Sequence, residues 1–205
     1  MPRATIWPRH LGGTNTPKPG QTASFLIDLA PGEYQWAASS YHEDGSNETM
    51  HLAPLTVTPG AATPGAETPT ALAAPKPRVI LEMTDRLRYT VSPNPVPTGP
   101  PIWQFTNTGM HSPHHVVMMR VPDGTTSEQI VTEMHAMMAC TPPASGSLTA
   151  QSAWVGYAAL QSGETTTWAE FDLEPATYAV ICYIVEPVTG RPHVLDGMVE
   201  VFSVV

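Results

Sequence analysis

The protein has 205 residues with a formal net charge of −9; only 13 % of them are charged, while 23 are Pro and 15 are Gly. Few charges and many turn-forming residues favour short strands over long helices, so we expect an all-β fold. The 9 Lys and Arg residues are scattered, which argues against a nucleic-acid partner because phosphate binding needs clustered basic side chains. No apolar run is long enough for a membrane-spanning helix, so we do not expect the chain to span a membrane.

The N-terminal part of the chain repeats a motif of the C-terminal part. Residues 28–34, Asp-Leu-Ala-Pro-Gly-Glu-Tyr, match residues 172–178, Asp-Leu-Glu-Pro-Ala-Thr-Tyr, at four of seven positions. A Gly-x-Thr sequence precedes the motif in both places. Because internal repeats outrank local propensities as evidence, we predict that residues 1–58 are a partial, C-terminal half of the unit whose complete copy is residues 78–205.

Residues 59–77 separate the two copies and consist almost entirely of Pro, Ala, Thr and Gly. Such a segment cannot bury a core, and we predict a semi-extended linker. The partial copy begins in mid-unit, so either the true start lies further upstream or the half-unit is a remnant. No secretion signal is visible in residues 1–10, which lack an apolar core.

The complete copy contains several short segments with strand-like patterns. We predict strands over residues 79–84, 88–91, 102–108, 114–121, 168–173, 177–185 and 197–205. About seven short strands with turn signals between them are typical of a Greek-key β-sandwich or barrel. One insertion departs from this pattern. Its apolar residues recur at helical spacing behind a Ser/Thr start, which predicts a helix over residues 127–139.

The sulfur and imidazole groups of the complete copy fall into two segments. His114 and His115 follow a proline, and a later loop runs from Cys182 through His193 to Met198. Two histidines, one cysteine and a weak axial methionine are the ligands of a type 1 copper centre, whereas zinc sites seldom use a thioether. Only one of His114 and His115 can face a metal, because neighbouring residues of a strand point to opposite sides.

The segments Phe105–Asn107 and Pro113–Val117 resemble the first-histidine motif of cupredoxins, and residues 182–198 resemble their ligand loop. The resemblance implies a Greek-key β-sandwich of cupredoxin type with one inserted helix. It assigns the metal ligands as His114, Cys182, His193 and Met198. It further implies a copper ion alternating between Cu(I) and Cu(II), hence a carrier of single electrons between redox partner proteins rather than an enzyme. The expected location is the periplasm or the exterior of the cell.

The ligand loop of this chain is long, with ten residues between Cys182 and His193. Small cupredoxin electron carriers usually have far fewer, and copper nitrite reductases are more similar in this length. By the same resemblance, we expect His193 to be the more exposed of the two histidine ligands and the port through which electrons enter and leave.

A metal-free β-sandwich of the cell envelope, used for binding or structure, is the main alternative. In the partial copy, Ala38 takes the place that Cys182 has in the complete copy, so loss of the site has been tolerated once. A disulfide between Cys140 and Cys182 would favour this alternative, because it would remove the thiolate from the metal site.

Copper storage or delivery is a third possibility. The inserted segment carries Met134, Met137 and Met138 together with His135, and soft thioethers favour Cu(I). Methionines at helical spacing are, however, more often pliable core packing.

Overall fold

The structure is a computed structural model that describes residues 9–13, 24–40, 49–59, 75–99, 102–139 and 145–205. The chain divides into two compact units, of which the larger comprises residues 1–27 with 75–205 and the smaller residues 28–74. No helix in these described ranges is both long enough and apolar enough to cross a membrane.

Eleven strands and two α-helices are present in the described part of the chain. The strands are β1 (Phe25–Ile27), β2 (Gly32–Ser40), β3 (Thr49–Val57), β4 (Val79–Thr84), β5 (Arg88–Ser92), β6 (Ile102–Asn107), β7 (His114–Val121), β8 (Ala153–Gln161), β9 (Thr165–Glu170), β10 (Ala176–Ile181) and β11 (Val199–Val204). The helices are α1 (Ser127–Met138) and α2 (Leu148–Gln151), and a short 3₁₀ helix spans His193–Asp196.

The larger unit consists of two sheets. One has five strands in the order β1-β9-β6-β4-β5, and the other has four in the order β11-β10-β7-β8. Neighbouring strands are antiparallel except β4 and β6, which are parallel. One core cluster takes buried residues from both sheets, so the sheets pack face to face. The predicted all-β sandwich with one inserted helix is confirmed.

Alternation along the strands explains this core. Val79, Leu81 and Met83 of β4 are buried, while the residues between them are exposed, because successive side chains point to opposite faces of a sheet. Trp103 from the five-stranded sheet meets Phe202 from the other sheet with ring centroids 5.7 Å apart. Aromatic contacts of this kind add to the free energy that apolar burial contributes.

The inserted helix α1 lies within one residue of its predicted bounds. Thr126 caps its N-terminus and forms a reciprocal capping box with Gln129, which satisfies free N–H groups of the first turn. Ile130 and Met134 join a second core cluster that also includes Ile181. Met134, one of the methionines on this helix, therefore packs in the core.

Strand β8 was not predicted, because its sequence Ala-Trp-Val-Gly-Tyr-Ala-Ala-Leu-Gln has no clear polar alternation. A Cβ atom at Gly156 would lie 2.5 Å from the ring of Phe171, so the strand needs a glycine where that ring packs. Register with β7 also shifts twice along this pair. Such irregularities depend on partners distant in sequence.

In the smaller unit, the described residues form an antiparallel pair of strands, β2 and β3, in which Tyr34 lies opposite Leu55. Tyr34 donates its hydroxyl hydrogen to the carbonyl oxygen of Ala30 at 2.6 Å. In the complete copy, Tyr178 donates in the same way to Glu174 at 2.9 Å. The repeated motif thus has the same local hydrogen bond in both places, while the division into residues 1–58, 59–77 and 78–205 stays a prediction.

Candidate metal centre

The predicted ligands lie at the ends of neighbouring strands. His114 begins β7, and Cys182 directly follows β10, which pairs with β7. The predicted strand 177–185 ends earlier, at Ile181, because the chain turns at Cys182 into the ligand loop. His193 begins the 3₁₀ helix of that loop, and Met198 directly precedes β11.

Backbone hydrogen bonds fold the loop back onto its own start. The N–H of His193 donates to the carbonyl of Ile184 at 2.8 Å, and that of Val194 donates to Cys182 at 2.9 Å. Cys182 in turn donates its N–H to Met198 at 3.3 Å. The ten residues between Cys182 and His193 therefore fold back, so that His193 lies beside the Cys182 sulfur.

Three donor atoms converge in the interior. His114 Nδ1 and His193 Nδ1 are 3.2 Å apart, and Cys182 Sγ lies 4.0 Å from the first and 3.5 Å from the second. Metal bonds of about 2.0 Å to nitrogen and about 2.3 Å to sulfur, opened to about 110–120°, place ligand atoms about 3.3–3.7 Å apart. The triangle of donors therefore fits a single metal ion, and two imidazoles with one thiolate suit copper.

Met198 is fully buried. It follows His193 closely in the sequence, and its backbone contacts two residues of this triangle. Its N–H donates to His193 at 3.0 Å, and its carbonyl accepts from Cys182. Two of the three converging residues thus hold the Met198 backbone in place. The role of its thioether as an axial ligand stays a prediction.

Burial keeps the imidazoles neutral. Burial above all, and then the nearby His193, lower the pKa of His114 to about 4. Burial also lowers the pKa of His193, although Glu186 and Asp196 act in the opposite direction. Neutral imidazole is the form that binds a metal ion. The centre is therefore competent to bind a cation at neutral pH.

The second ring nitrogens, His114 Nε2 and His193 Nε2, are buried and lie outside normal hydrogen-bond geometry with any group of the described residues, although the backbone of Thr84 acts to raise the pKa of His114. Glu186 Oε2 lies 3.8 Å from His193 Nε2, which favours a hydrogen on that nitrogen and leaves Nδ1 free. A carboxylate behind a ligand histidine commonly fixes its tautomer.

His193 was expected to be the more exposed ligand on its loop, but both histidines are buried, with exposed fractions of 1 % for His193 and 0 % for His114. Residues 186–191 form a tight turn, in which Gly190 donates its N–H to Glu186 at 2.8 Å and Glu186 donates to Arg191 at 2.9 Å. This turn brings Glu186 to 3.8 Å from His193 Nε2, which the sequence did not reveal.

His115 points away from the donor triangle, as strand alternation requires of one of the two neighbours. Its Nε2 accepts a hydrogen bond from the N–H of Tyr183 at 2.8 Å. Its Nδ1 lies 3.5 Å from the hydroxyl of Tyr157. His115 therefore connects the strand that carries His114 to the residue after Cys182.

Cys182 is a free, buried thiol, and Cys140 lies outside the described residues. Burial raises the pKa of Cys182, while the N–H groups of His115 and Ile184 and the hydroxyl of Tyr89 act to lower it. These three groups favour the thiolate once a cation is present.

Asp85 organises the segment that leads to His114, a role that no pattern in the sequence indicated. Its carboxylate accepts from the N–H groups of Met110, His111 and Ser112 at 2.8, 3.0 and 3.2 Å, and lies 2.9 Å from the ring of His111. Burial raises the pKa of Asp85, but these bonds outweigh it and hold the pKa well below its usual range. The contacts span about 25 positions, so no local motif could have indicated them.

Two solved structures are similar to part of this chain. No family model and no curated protein matches the chain. A dithionite-reduced auracyanin from the photosynthetic bacterium Roseiflexus castenholzii is 18 % identical, with a TM-score of 0.38 over 62 % of this chain and 94 % of that one. Auracyanin B is 16 % identical, with a TM-score of 0.35 over 64 % and 92 %. The larger unit itself is a sandwich of two β-sheets with one inserted helix, as the resemblance stated from the sequence implies.

Proposed function

We propose that the protein binds one copper ion through His114 Nδ1, Cys182 Sγ and His193 Nδ1, with Met198 as the axial ligand, and carries single electrons between redox partners. The observation that supports this most is the buried triangle of two imidazoles and one thiol, with edges of 3.2–4.0 Å. Bound copper would supply the one-electron Cu(I)/Cu(II) couple.

The side chains prepare the site for a cation. His114 and His193 are neutral before binding, whereas burial holds Cys182 in its thiol form. Binding therefore releases the thiol proton, and copper affinity should rise with pH. Because His114 and Cys182 are anchored at the ends of paired strands, the positions of the ligand atoms should change little between Cu(I) and Cu(II).

An electron carrier is proposed rather than an enzyme because all three donors are buried. A substrate needs an open ligand position or a second metal to react at such a centre. Electrons, in contrast, can reach a buried site through the protein without an open ligand position. The net charge of −9 would favour a basic redox partner. By resemblance, we place the protein in the periplasm or outside the cell.

The two alternatives predict different copper stoichiometries. A metal-free envelope module would retain no copper. A storage or delivery protein would take up several ions, and Met137 and Met138 are 38 % and 48 % exposed on α1. One tightly bound ion per chain would support the carrier.

The test is the visible absorption spectrum after one equivalent of Cu(II), compared with Cys182→Ser and with Cys140→Ser as the matched control. An intense thiolate-to-copper band is expected in the native protein and in Cys140→Ser, and no such band in Cys182→Ser. A colourless native protein that retains no copper would refute the proposal.

A further inference from the structure

The side chain of Arg88 reaches from one sheet to the end of the ligand loop. Arg88 begins β5, an edge strand of the five-stranded sheet, while Met198 directly precedes β11, an edge strand of the other sheet. Arg88 Nη1 donates to the carbonyl oxygens of Gly197 at 3.0 Å and Asp196 at 3.4 Å. The guanidinium therefore joins the start of β5 to the two residues before Met198.

These bonds hold the peptide groups on both sides of Gly197. The Asp196 carbonyl shares a peptide group with the N–H of Gly197, and the Gly197 carbonyl shares one with the N–H of Met198. The two N–H groups donate into the loop, to Val194 at 3.1 Å and to His193 at 3.0 Å. Because a peptide group is planar, bonds at both its oxygen and its N–H fix the direction in which the chain enters Met198.

Gly197 has the backbone conformation that this contact needs. Its φ is +90°, a left-handed conformation that residues with a side chain rarely adopt. A Cβ atom at this position would lie 2.9 Å from Arg88 Nη1. The guanidinium is therefore packed against bare backbone directly before Met198.

The turn before Arg88 also carries Asp85. The Asp85 carboxylate holds residues 110–112, the segment that leads to His114. One turn between β4 and β5 is thus bonded to two segments of the metal centre, one before His114 and one before Met198.

We propose that Arg88 is a positioning residue for the axial ligand: its bonds to Asp196 and Gly197 hold Met198 at the copper ion and thereby lower the reduction potential. This inference rests on the proposed function. The axial ligand tunes the potential of such a centre. Cu(II) gains more from a fourth donor than Cu(I) does, so a firmly held thioether favours the oxidised ion.

Loss of the arginine can change the potential in two ways, and these have opposite signs. A lost positive charge near the metal favours Cu(II) and lowers the potential. A loosened axial ligand disfavours Cu(II) and raises the potential. The sign of the shift therefore separates positioning from charge.

The test is the reduction potential of copper-loaded Arg88→Met, which keeps an unbranched apolar side chain but removes every donor. We expect the Cu(II):Cu(I) ratio at a given potential to fall about threefold, which is a potential higher by about 28 mV. Arg88→Lys should return the potential towards the native value, because an ammonium group can also donate to the two carbonyls. A potential of Arg88→Met at or below the native value would overturn the inference.

Arg86→Met is the matched control. Arg86 is an exposed arginine of the same turn, and within the described ranges it makes no hydrogen bond to the ligand loop. Its loss removes the same charge, so the potential should stay at the native value or slightly below it. An equal rise in both variants would contradict a specific role of Arg88.

Met198→Leu shows whether Arg88 acts through Met198. This change removes the thioether and should itself raise the potential. Combined with it, Arg88→Met should cause no further rise, because two changes that act on one interaction are not additive. A further rise of the same size would mean that Arg88 acts by another route, and the inference would be wrong.

A measurement without copper separates this inference from the proposed function. In metal-free Arg88→Met, the N–H groups of Gly197 and Met198 should exchange with solvent about tenfold faster than in the native protein. The N–H of Ala179, in the core strand β10, should exchange at its native rate. Unchanged exchange at Gly197 and Met198, or an equal increase at Ala179, would refute the positioning role whether or not copper binds. Failure of the native protein to bind copper would refute the proposed function, and with it any effect on potential.

Discussion

Single residues determine the charge state of the centre. His114 and His115 are neighbours on β7, and burial is the main cause that lowers the pKa of each to about 4. Protonating either ring in the folded protein would place a cation among apolar side chains and a second imidazole. Neutral imidazoles are therefore part of the folded state itself.

This predicts a loss of stability in acid for the metal-free protein. The pKa of each histidine is about 4 when folded and about 6.5 when unfolded. Between these values the unfolded chain binds more protons, so the free energy of unfolding falls as pH drops from 6.5 towards 4. The expected slope is up to about 1.4 kcal/mol per pH unit for each histidine.

Urea unfolding at a series of pH values measures this slope, and His115→Gln should reduce it. A free energy of unfolding that stays constant from pH 7 to about pH 4.5 would contradict the prediction. The lowered pKa of Asp85 adds its own loss only at more acidic pH, where the carboxylate takes up a proton.

At the scale of elements, the geometry of the candidate metal centre depends on how loops are held at strand ends. The turn between β4 and β5 carries Asp85, and this carboxylate holds the segment that enters β7 at His114. Gly109 is packed so closely there that a Cβ atom would lie 2.4 Å from the Asp85 carboxylate. A side chain at that position would push the carboxylate out of its bonds.

Asp85→Ala should lower the free energy of unfolding by about 2 kcal/mol, because three backbone N–H groups lose a charged acceptor. Copper affinity should fall by roughly tenfold, since the histidine at the end of that segment is held less firmly. Urea unfolding and copper titration measure the two effects. Asp123→Ala is the control, because Asp123 accepts one hydrogen bond, from Thr177, on another turn. Equal loss of copper affinity in both variants would argue against this role.

At the scale of the whole molecule, the described core of the larger unit lies almost entirely within residues 78–205. Both core clusters are built from that range, with Phe25 of β1 as a partly buried addition. Strand β1 contributes three residues at the edge of its sheet, beside β9.

Limited proteolysis should therefore cut the predicted linker, residues 59–77, and release a fragment of residues 78–205 that folds and binds one copper ion. Loss of Phe25 should lower its free energy of unfolding by about 2 kcal/mol relative to the full chain. Mass spectrometry identifies the cut, and chemical unfolding with copper titration compares fragment and full chain. A fragment that precipitates, or that loses the copper binding of the full chain, would show that residues 1–58 are needed.

Much of the architecture follows from local patterns in the sequence. β4 and β6 lie where strands were predicted, the alternation along β6 follows its sequence, and α1 begins directly after its capping residue Thr126. The chemistry of Cys182 and His193 also identified the loop that carries them. These features depend on side chains close together in the chain, and such neighbours are visible in sequence alone.

Tertiary structure alone decided which groups enclose the centre. It buried His193, placed the hydroxyl of Tyr89 from one sheet against the carbonyl of His115 on the other, and brought Asp85 to the segment before His114. It also set the irregular register of β8. The physical reason is that these contacts form only when distant strands pack and exclude water, so their partners are determined by the closed sandwich rather than by neighbouring residues.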